Sequence, residues 1–182
     1  SGAYSRSGLF TDYSRPFIEM TGKVLGVIGL GAIGSKVARI GSAFGMKVIY
    51  YSTSGTNHSE EYPSVSLEHL MRKSDVISVH APYNERTAGL VGEKELRMMK
   101  PKAIIVNMGR GGIVVEEALA KVIVIGGAGL DVYSTEPIPE NHPLLHTRHP
   151  ERLSMTPHIA WASIEARERL IQSIADNIAK GF

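Results

Sequence analysis

Residues 23–34 read KVLGVIGLGAIG, and how this stretch folds decides the fold of the whole chain. Val24–Ile28 is a short apolar run, which predicts a buried strand. It breaks abruptly into Gly29-Leu30-Gly31-Ala32-Ile33-Gly34. Ile33, Val37, Ile40 and Phe44 then share one helical face, and Gly45 is a natural stop. Strand, glycine turn and helix in this order can cradle a pyrophosphate. The first glycine allows the tight turn, the second lets backbone approach the anion, and the third packs helix against strand. The helix N-terminus adds unpaired N–H groups and a partial positive charge. The competing reading is a glycine turn that packs without a ligand. The order of the flanking elements favours a dinucleotide site at Gly29, Gly31 and Gly34.

Outward from this turn the pattern repeats. Strands are expected at Lys47–Tyr51, Asp75–His80, Ala103–Met108, Ala128–Val132 and Leu153–Thr156. Helices are expected at Ser66–Lys73, over most of Glu85–Lys100 despite Gly89 and Gly92, and from Val115 to Lys121. A terminal helix carries Ile164, Ile171 and Ile178 at seven-residue spacing, with Leu170 and Ile174 beside them. Alternating strands and helices predict an α/β fold, a Rossmann-type doubly wound parallel sheet with helices on both faces and one switch-point crevice. Residues 1–22 show no clean period. They are expected to form an irregular lead-in, a packing or dimer arm anchored by Leu9, Phe10, Tyr13 and Phe17, ahead of a dinucleotide-binding domain at 23–182. After Lys121 the chain runs Val122-Ile123-Val124-Ile125-Gly126-Gly127 with no polar turn, although a crossover helix needs a solvated end. Residues are therefore expected to be missing there.

Composition narrows the function. Lys and Arg number 20 against 18 Asp and Glu, and this balance forms no footprint for nucleic acid or a membrane surface. The absence of Cys excludes a disulfide scaffold, a thiolate nucleophile and Cys-ligated zinc. The longest apolar-and-glycine run, Val24–Gly34, is well short of the roughly 18 residues that span a bilayer. Nothing at the start reads as a secretory signal, so a cytoplasmic protein is expected, and an opening on Ser1 rather than Met suggests a fragment or a processed chain. His142, His146 and His149 lie in a proline-rich loop with no flanking helix. Solvated histidines are expected there, and no metal site.

In such sheets ligands bind beyond the carboxyl ends of the strands. An acidic residue about 20 positions past the glycine turn usually binds the ribose 2′-OH of NAD. Here that place falls on Ser52, followed by Thr53 and Ser54, with neither an acid nor an Arg in the segment. Weak discrimination between NAD and NADP is expected, with NAD slightly favoured because no cation is near. Other strand ends carry His80-Ala81-Pro82, Asn107-Met108-Gly109-Arg110, Asp131 with Glu136, and His158 with Ala160. Arg110, Glu136 and His158 suit redox chemistry on a hydroxy acid. A His moves the proton on the substrate oxygen, a carboxylate stabilises the imidazolium, and a guanidinium holds the substrate carboxylate. Singly, each has a plain alternative: a surface ion pair, a turn cap, a satisfied buried histidine. Trp161 reads equally as a cover for a nicotinamide or as the start of a helix.

At these residues the chain closely resembles the D-isomer-specific 2-hydroxyacid dehydrogenase family. The matching segments are GKVLGVIGLGAIGSKVARIGSAFGMKV, SDVISVHAP, IIVNMGRGGIVVEEALA, GAGLDVYSTEP and LSMTPHIAWAS. The resemblance implies that Arg110 binds substrate, Glu136 pairs with the catalytic His, and His158 is the acid/base. It implies further that Ala32 and Ile33 contact the pyrophosphate, that Asp131 faces the nicotinamide amide, and that Pro82, Thr87 and Met108 line the cofactor cleft. His80, Ala81, Asn107, Gly109 and Ala160 join the cofactor-side candidates. The ending HIAWAS looks most like glycerate dehydrogenases, also called hydroxypyruvate reductases. Formate dehydrogenases of the family carry Gln where Glu136 stands, which counts against formate. Family members usually carry an acid at the Ser52 position, and they have a second, substrate domain. The resemblance therefore implies that this chain is the cofactor half, acting on a small 2-hydroxy or 2-oxo acid and dimerising through the cofactor domain. A non-catalytic dinucleotide sensor or corepressor on the same fold is the alternative.

Overall fold

A computed structural model describes residues 2–13, 17–56, 58–122 and 125–181. Among the described residues the α-helices and strands run α1 (Ala3–Ser7), β1 (Val24–Ile28), α2 (Ala32–Ala43), β2 (Lys47–Tyr51), α3 (Leu67–Lys73), β3 (Val76–Val79), α4 (Glu93–Met98), β4 (Ile104–Asn107), α5 (Glu116–Val122), β5 (Gly127–Leu130), β6 (Leu153–Met155) and α6 (Ile164–Ala179), and from β1 onward they follow the expected order. The six strands form one parallel sheet in the order β2-β1-β3-β4-β5-β6. The chain steps outward from β1 to β2 and returns past β1 to β3, so the topological switch lies between β1 and β3. That gap opens above Gly29 and His80.

The direction of travel decides which face each helix covers, because strand–helix–strand crossovers are right-handed. On the return, α3, α4 and α5 all fall on one face. There Leu70, Met71, Leu96 and Leu119 pack against Ile28, Ile77, Val79 and Ile105 in the larger core. Helix α2 lies on the other face, where Ala38 packs against Leu25, Val27, Val48 and Tyr50. Side chains alternate along β1 between the two cores, as a strand buried on both sides requires. The expectation of helices on both faces therefore holds over β1 and β2. Over β4 the α2 face stays open, and Ile104 is left 39 % exposed.

Three expectations change. Residues 3–7 form a short helix, so the lead-in is not wholly irregular, and Leu9, Phe10, Tyr13 and Phe17 are exposed on the single chain. The helix expected over Glu85–Lys100 shrinks to Glu93–Met98, with turns before it. The buried Thr87 hydroxyl donates to the Pro82 carbonyl at 2.6 Å and accepts from the Asn84 N–H at 2.9 Å. Such local bonds compete with helix formation. The third change concerns α6, which presents the expected apolar stripe, yet Ile164, Leu170, Ile171, Ile174 and Ile178 are all exposed. In the segment suspected of missing residues, Val122 closes α5, while Ile123 and Val124 lie outside the described residues. No described helix is long and apolar enough to cross a membrane.

Candidate active site

The three glycines of the turn do three different things. Gly29 has φ +90°, and a Cβ there would fall 2.9 Å from the Ala81 nitrogen, so no side chain fits at the switch point. A Cβ on Gly34 would strike the Gly29 carbonyl, because α2 leans directly on the turn. Around Gly31 nothing lies within 4 Å. Helix α2 opens there with no side-chain cap and no acid in its first turn, and Ala32 and Ile33 are exposed. Its unpaired N–H groups and positive end are left for an anion.

Three hollows run in line from this turn along the carboxyl edge of the sheet. One of about 540 Å³ is lined by Gly29, Gly31, Thr53, Ser54, His80 and Arg86, among others. The next, about 390 Å³, shares His80 and Pro82 with it and adds Ile33, Ala81, Met108 and Gly109. The last, about 410 Å³, shares Tyr83 and Arg110 with the second and adds Tyr133, Glu136 and His158. In the first hollow the expectation of no nearby cation fails. Arg86 Nη1 donates to the Ser54 carbonyl at 3.2 Å, bringing a guanidinium to the end of β2 from a loop 32 residues later. Just past β2, the Ser52 hydroxyl oxygen is buried without a protein partner among the described residues. His80 Nε2 meets Ser78 Oγ at 2.8 Å, and burial holds its imidazole below the usual histidine range.

At the far end, His158 Nδ1 donates to Glu136 Oε2 at 2.6 Å. The Tyr133 N–H donates to Glu136 Oε1 at 2.8 Å, and this bond first, with the His158 bond after it, holds the Glu136 carboxyl below its ordinary range. An ionised Glu136 fixes the proton on Nδ1, so Nε2 is the nitrogen left to exchange a proton. His158 is the one non-glycine residue among those described with a positive φ, +54°. That backbone costs about 1–2 kcal/mol, and its neighbours hold it in place. Asp131 Oδ1 accepts from Thr156 Oγ1 at 2.6 Å and from Ile159 N at 2.9 Å, Oδ2 accepts from Ala160 N at 2.9 Å, and Trp161 Nε1 donates to the His158 carbonyl at 3.0 Å. Burial is the largest influence on Asp131 and pushes its carboxyl up. The bonds from Thr156, Ala160 and Ile159 and the charge of His158 together outweigh it and hold the carboxyl below its ordinary range.

Several sequence candidates thus shape the site rather than face it. Thr87 is fully buried and braces the loop that carries Tyr83 and Arg86. Asn107 is buried too, with Oδ1 accepting from Gly109 N at 3.0 Å and Nδ2 donating to the Arg110 carbonyl at 2.9 Å, so its amide sets the turn that aims Arg110. Asp131 is buried beneath the His158 turn, and the Ala160 N–H is spent on it. Arg110 itself is steadied by a bond from Nη1 to the Gly109 carbonyl at 2.8 Å. His142 departs from the solvated reading. It is 6 % exposed and donates from Nε2 to Glu116 Oε2 at 2.9 Å, while Ser134 N and Oγ donate to the same carboxylate. Glu116 therefore clamps the loop bearing Glu136. Tyr83 and Arg86 escaped the sequence reading, although both adjoin residues, Pro82 and Thr87, that it singled out.

Known proteins resemble this chain in sequence and fold. The family model for the D-isomer specific 2-hydroxyacid dehydrogenase, NAD binding domain, matches residues 3–160. A glyoxylate reductase of Aeropyrum pernix is 44 % identical over 88 % of this chain and 49 % of its own length. A hydroxypyruvate reductase of Blautia hydrogenotrophica is 40 % identical over 93 % of this chain and 52 % of its own. An acyclic imino acid reductase, solved with NADPH and D-Arg, superposes with a TM-score of 0.82 at 37 % identity, over 97 % of this chain and 58 % of its own. The chain spans about half the length of the curated relatives it matches. With the family model covering most of its residues, this chain belongs to the D-isomer specific 2-hydroxyacid dehydrogenase family, and its fold is that family's NAD-binding domain.

Proposed function

We propose that the protein is an NAD(P)-dependent oxidoreductase that interconverts a small D-2-hydroxy acid and its 2-oxo acid. The observation that carries this reading is the 2.6 Å bond between His158 and Glu136, at the wall of a hollow that Arg110 also lines. The residues fit a dinucleotide: Gly31 leaves open space beside the N-terminus of α2, and the Ser52 hydroxyl lacks a partner among the described residues. Gly31, Ala32 and Ile33 would hold the pyrophosphate, Ser52 and Thr53 the ribose, and Pro82, Met108 and Gly109 the nicotinamide side. When bound, the nicotinamide supplies hydride chemistry at the substrate C2. Arg110 would hold the substrate carboxylate and polarise the carbonyl. His158 would move the proton at the substrate oxygen through Nε2, and Glu136 would hold the imidazole in that tautomer.

We further read residues 23–182 as the dinucleotide-binding unit and residues 1–22 as an arm. The protein is cytoplasmic in this reading, and it dimerises through this domain, covering the exposed Phe10, Tyr13 and Phe17. The assay is oxidation of NADH and NADPH by the full-length parent with glyoxylate, hydroxypyruvate and pyruvate. Turnover of at least one is expected, and cofactor binding without turnover of any 2-oxo acid would overturn the reading. Light scattering on the 182-residue chain tests the dimer.

A further inference from the structure

We propose that Arg86 reads the 2′-phosphate of NADPH, so that this domain holds the phosphorylated cofactor at least as tightly as NADH. The proposal rests on the reading of the glycine cleft as a dinucleotide site and adds a residue that discriminates between cofactors. In this fold the ribose 2′ position sits at the carboxyl end of the second strand, where an acid selects NAD by binding the free hydroxyl. Here that end carries the hydroxyls of Ser52, Thr53 and Ser54 and no carboxylate, so nothing on β2 repels a phosphate. The Ser52 oxygen is buried with no hydrogen-bond partner among the described residues, so it adds no negative charge at this end.

Arg86 supplies the missing cation from across the cleft. Its Nη1 is tethered to the Ser54 carbonyl at 3.2 Å, and no other side-chain bond or ion pair holds the guanidinium among the described residues. The remaining donors of the fork can therefore meet an oxyanion, which a guanidinium binds in bidentate fashion. Arg86 lines the same hollow as Gly29, Gly31 and Thr53. The loop is set for this task, because Asn84 Oδ1 accepts from the Arg86 N–H at 3.0 Å and the buried Thr87 hydroxyl ties the loop to Pro82. His80 and Glu85 are the other titratable groups of that hollow. Glu85 stands on the loop after β3 and not at the end of β2, so it does not take the place of the NAD-selecting acid.

Calorimetric titration of the 182-residue chain with NADH, NADPH, 5′-AMP and 2′,5′-ADP tests this directly. The wild-type chain should bind 2′,5′-ADP about tenfold tighter than 5′-AMP, the worth of one charge-assisted contact. Arg86→Gln should remove most of that ratio and leave 5′-AMP and NADH affinity unchanged, and Arg86→Lys should restore part of it. The proposal is overturned if Arg86→Gln weakens all four ligands alike, if it leaves the ratio within about twofold of wild type, or if wild type prefers NADH over NADPH. Binding of NADH with no Arg86-dependent ratio sinks the Arg86 assignment alone. Failure of every dinucleotide to bind sinks the cleft reading and Arg86 with it.

Discussion

The two ends of the groove treat their polar groups in opposite ways. At the glycine turn the hydrogen-bonding capacity is left open: α2 starts without a side-chain cap, Gly31 faces empty space, and the Ser52 hydroxyl is buried without a partner among the described residues. At the His158 end almost nothing is open. Asp131 accepts three bonds, Glu116 three and Glu136 two, all from this chain. The exposed N–H groups of α2 are solvated and free to exchange water for an anion, whereas the buried Ser52 hydroxyl carries the cost of about 1–3 kcal/mol of an unsatisfied polar group. The satisfied carboxylates at the second end have another use. They hold one imidazole in one tautomer, on a strained backbone, aimed at one hollow. In the proposed reading the first end receives charge and the second places a proton.

Substitutions should separate these two roles. The largest effect is expected from His158→Ala in the full-length parent, which should lower kcat by roughly 10²–10⁴-fold, the range for losing general acid–base catalysis. NADH affinity should barely move, because no cofactor-cradling group is touched, and steady-state kinetics with calorimetry would show both. Equal losses in turnover and cofactor binding would mean that the two ends are not separate. Within the glycine turn the contrast is sharper still. Gly34→Ala forces a methyl group against the Gly29 carbonyl and should cost about 1–3 kcal/mol of stability, as overpacking does. Gly31→Ala meets no protein atom and should change stability by less than about 0.5 kcal/mol. It should nonetheless weaken NADH about tenfold by crowding the anion off the α2 N-terminus. Thermal melts and cofactor titrations on the pair read this directly, and a Gly31→Ala protein with a large loss of stability would break the argument.

This division also explains what the sequence could and could not reveal. The glycine turn was legible because its requirements are local: a strand, three glycines and a helix within residues 23–44. The strand-end triad was legible because the fold rule puts ligands at those ends, wherever the residues stand along the chain. Arg86 was not legible. It reaches Ser54 across 32 residues, and its loop reads as helix until the Thr87 hydroxyl is seen bonding to Pro82. His142 was missed for a similar reason, since its partner Glu116 is 26 residues away on α5. Thr87, Asn107 and Asp131 show a different limit. A polar residue at a strand end predicts importance equally whether its side chain turns toward a ligand or inward to brace a loop, and the one-letter code does not distinguish the two. The apolar stripe of α6 was plain from its spacing, whereas spacing alone does not say that the stripe stays exposed on this chain.

The smallest expected effect is a difference in how the two ends respond to acid. Burial depresses the His80 imidazole below its ordinary value of 6.5, beside the first and second hollows. As pH falls below that value, the unfolded chain takes up a proton that folded His80 refuses, so stability declines until the folded value is reached. Glu136 and Asp131 are depressed below their ordinary values of 4.5 and 3.8. Their contribution is complete above those values and is lost only as pH falls through the lower, folded ones, when the carboxylates protonate and release Tyr133, His158 and Ala160. Denaturant unfolding measured from pH 7.5 downward, in steps of about half a unit, should therefore show two separate declines. His80→Gln should flatten the upper one and leave the lower one intact, while Glu136→Gln should shrink the lower one, which Asp131 and Asp75 also feed, and leave the upper one unchanged. If Glu136→Gln altered the upper decline instead, the carboxylate and the buried imidazole would be titrating as one coupled network, and the two ends of the groove would not be electrostatically independent.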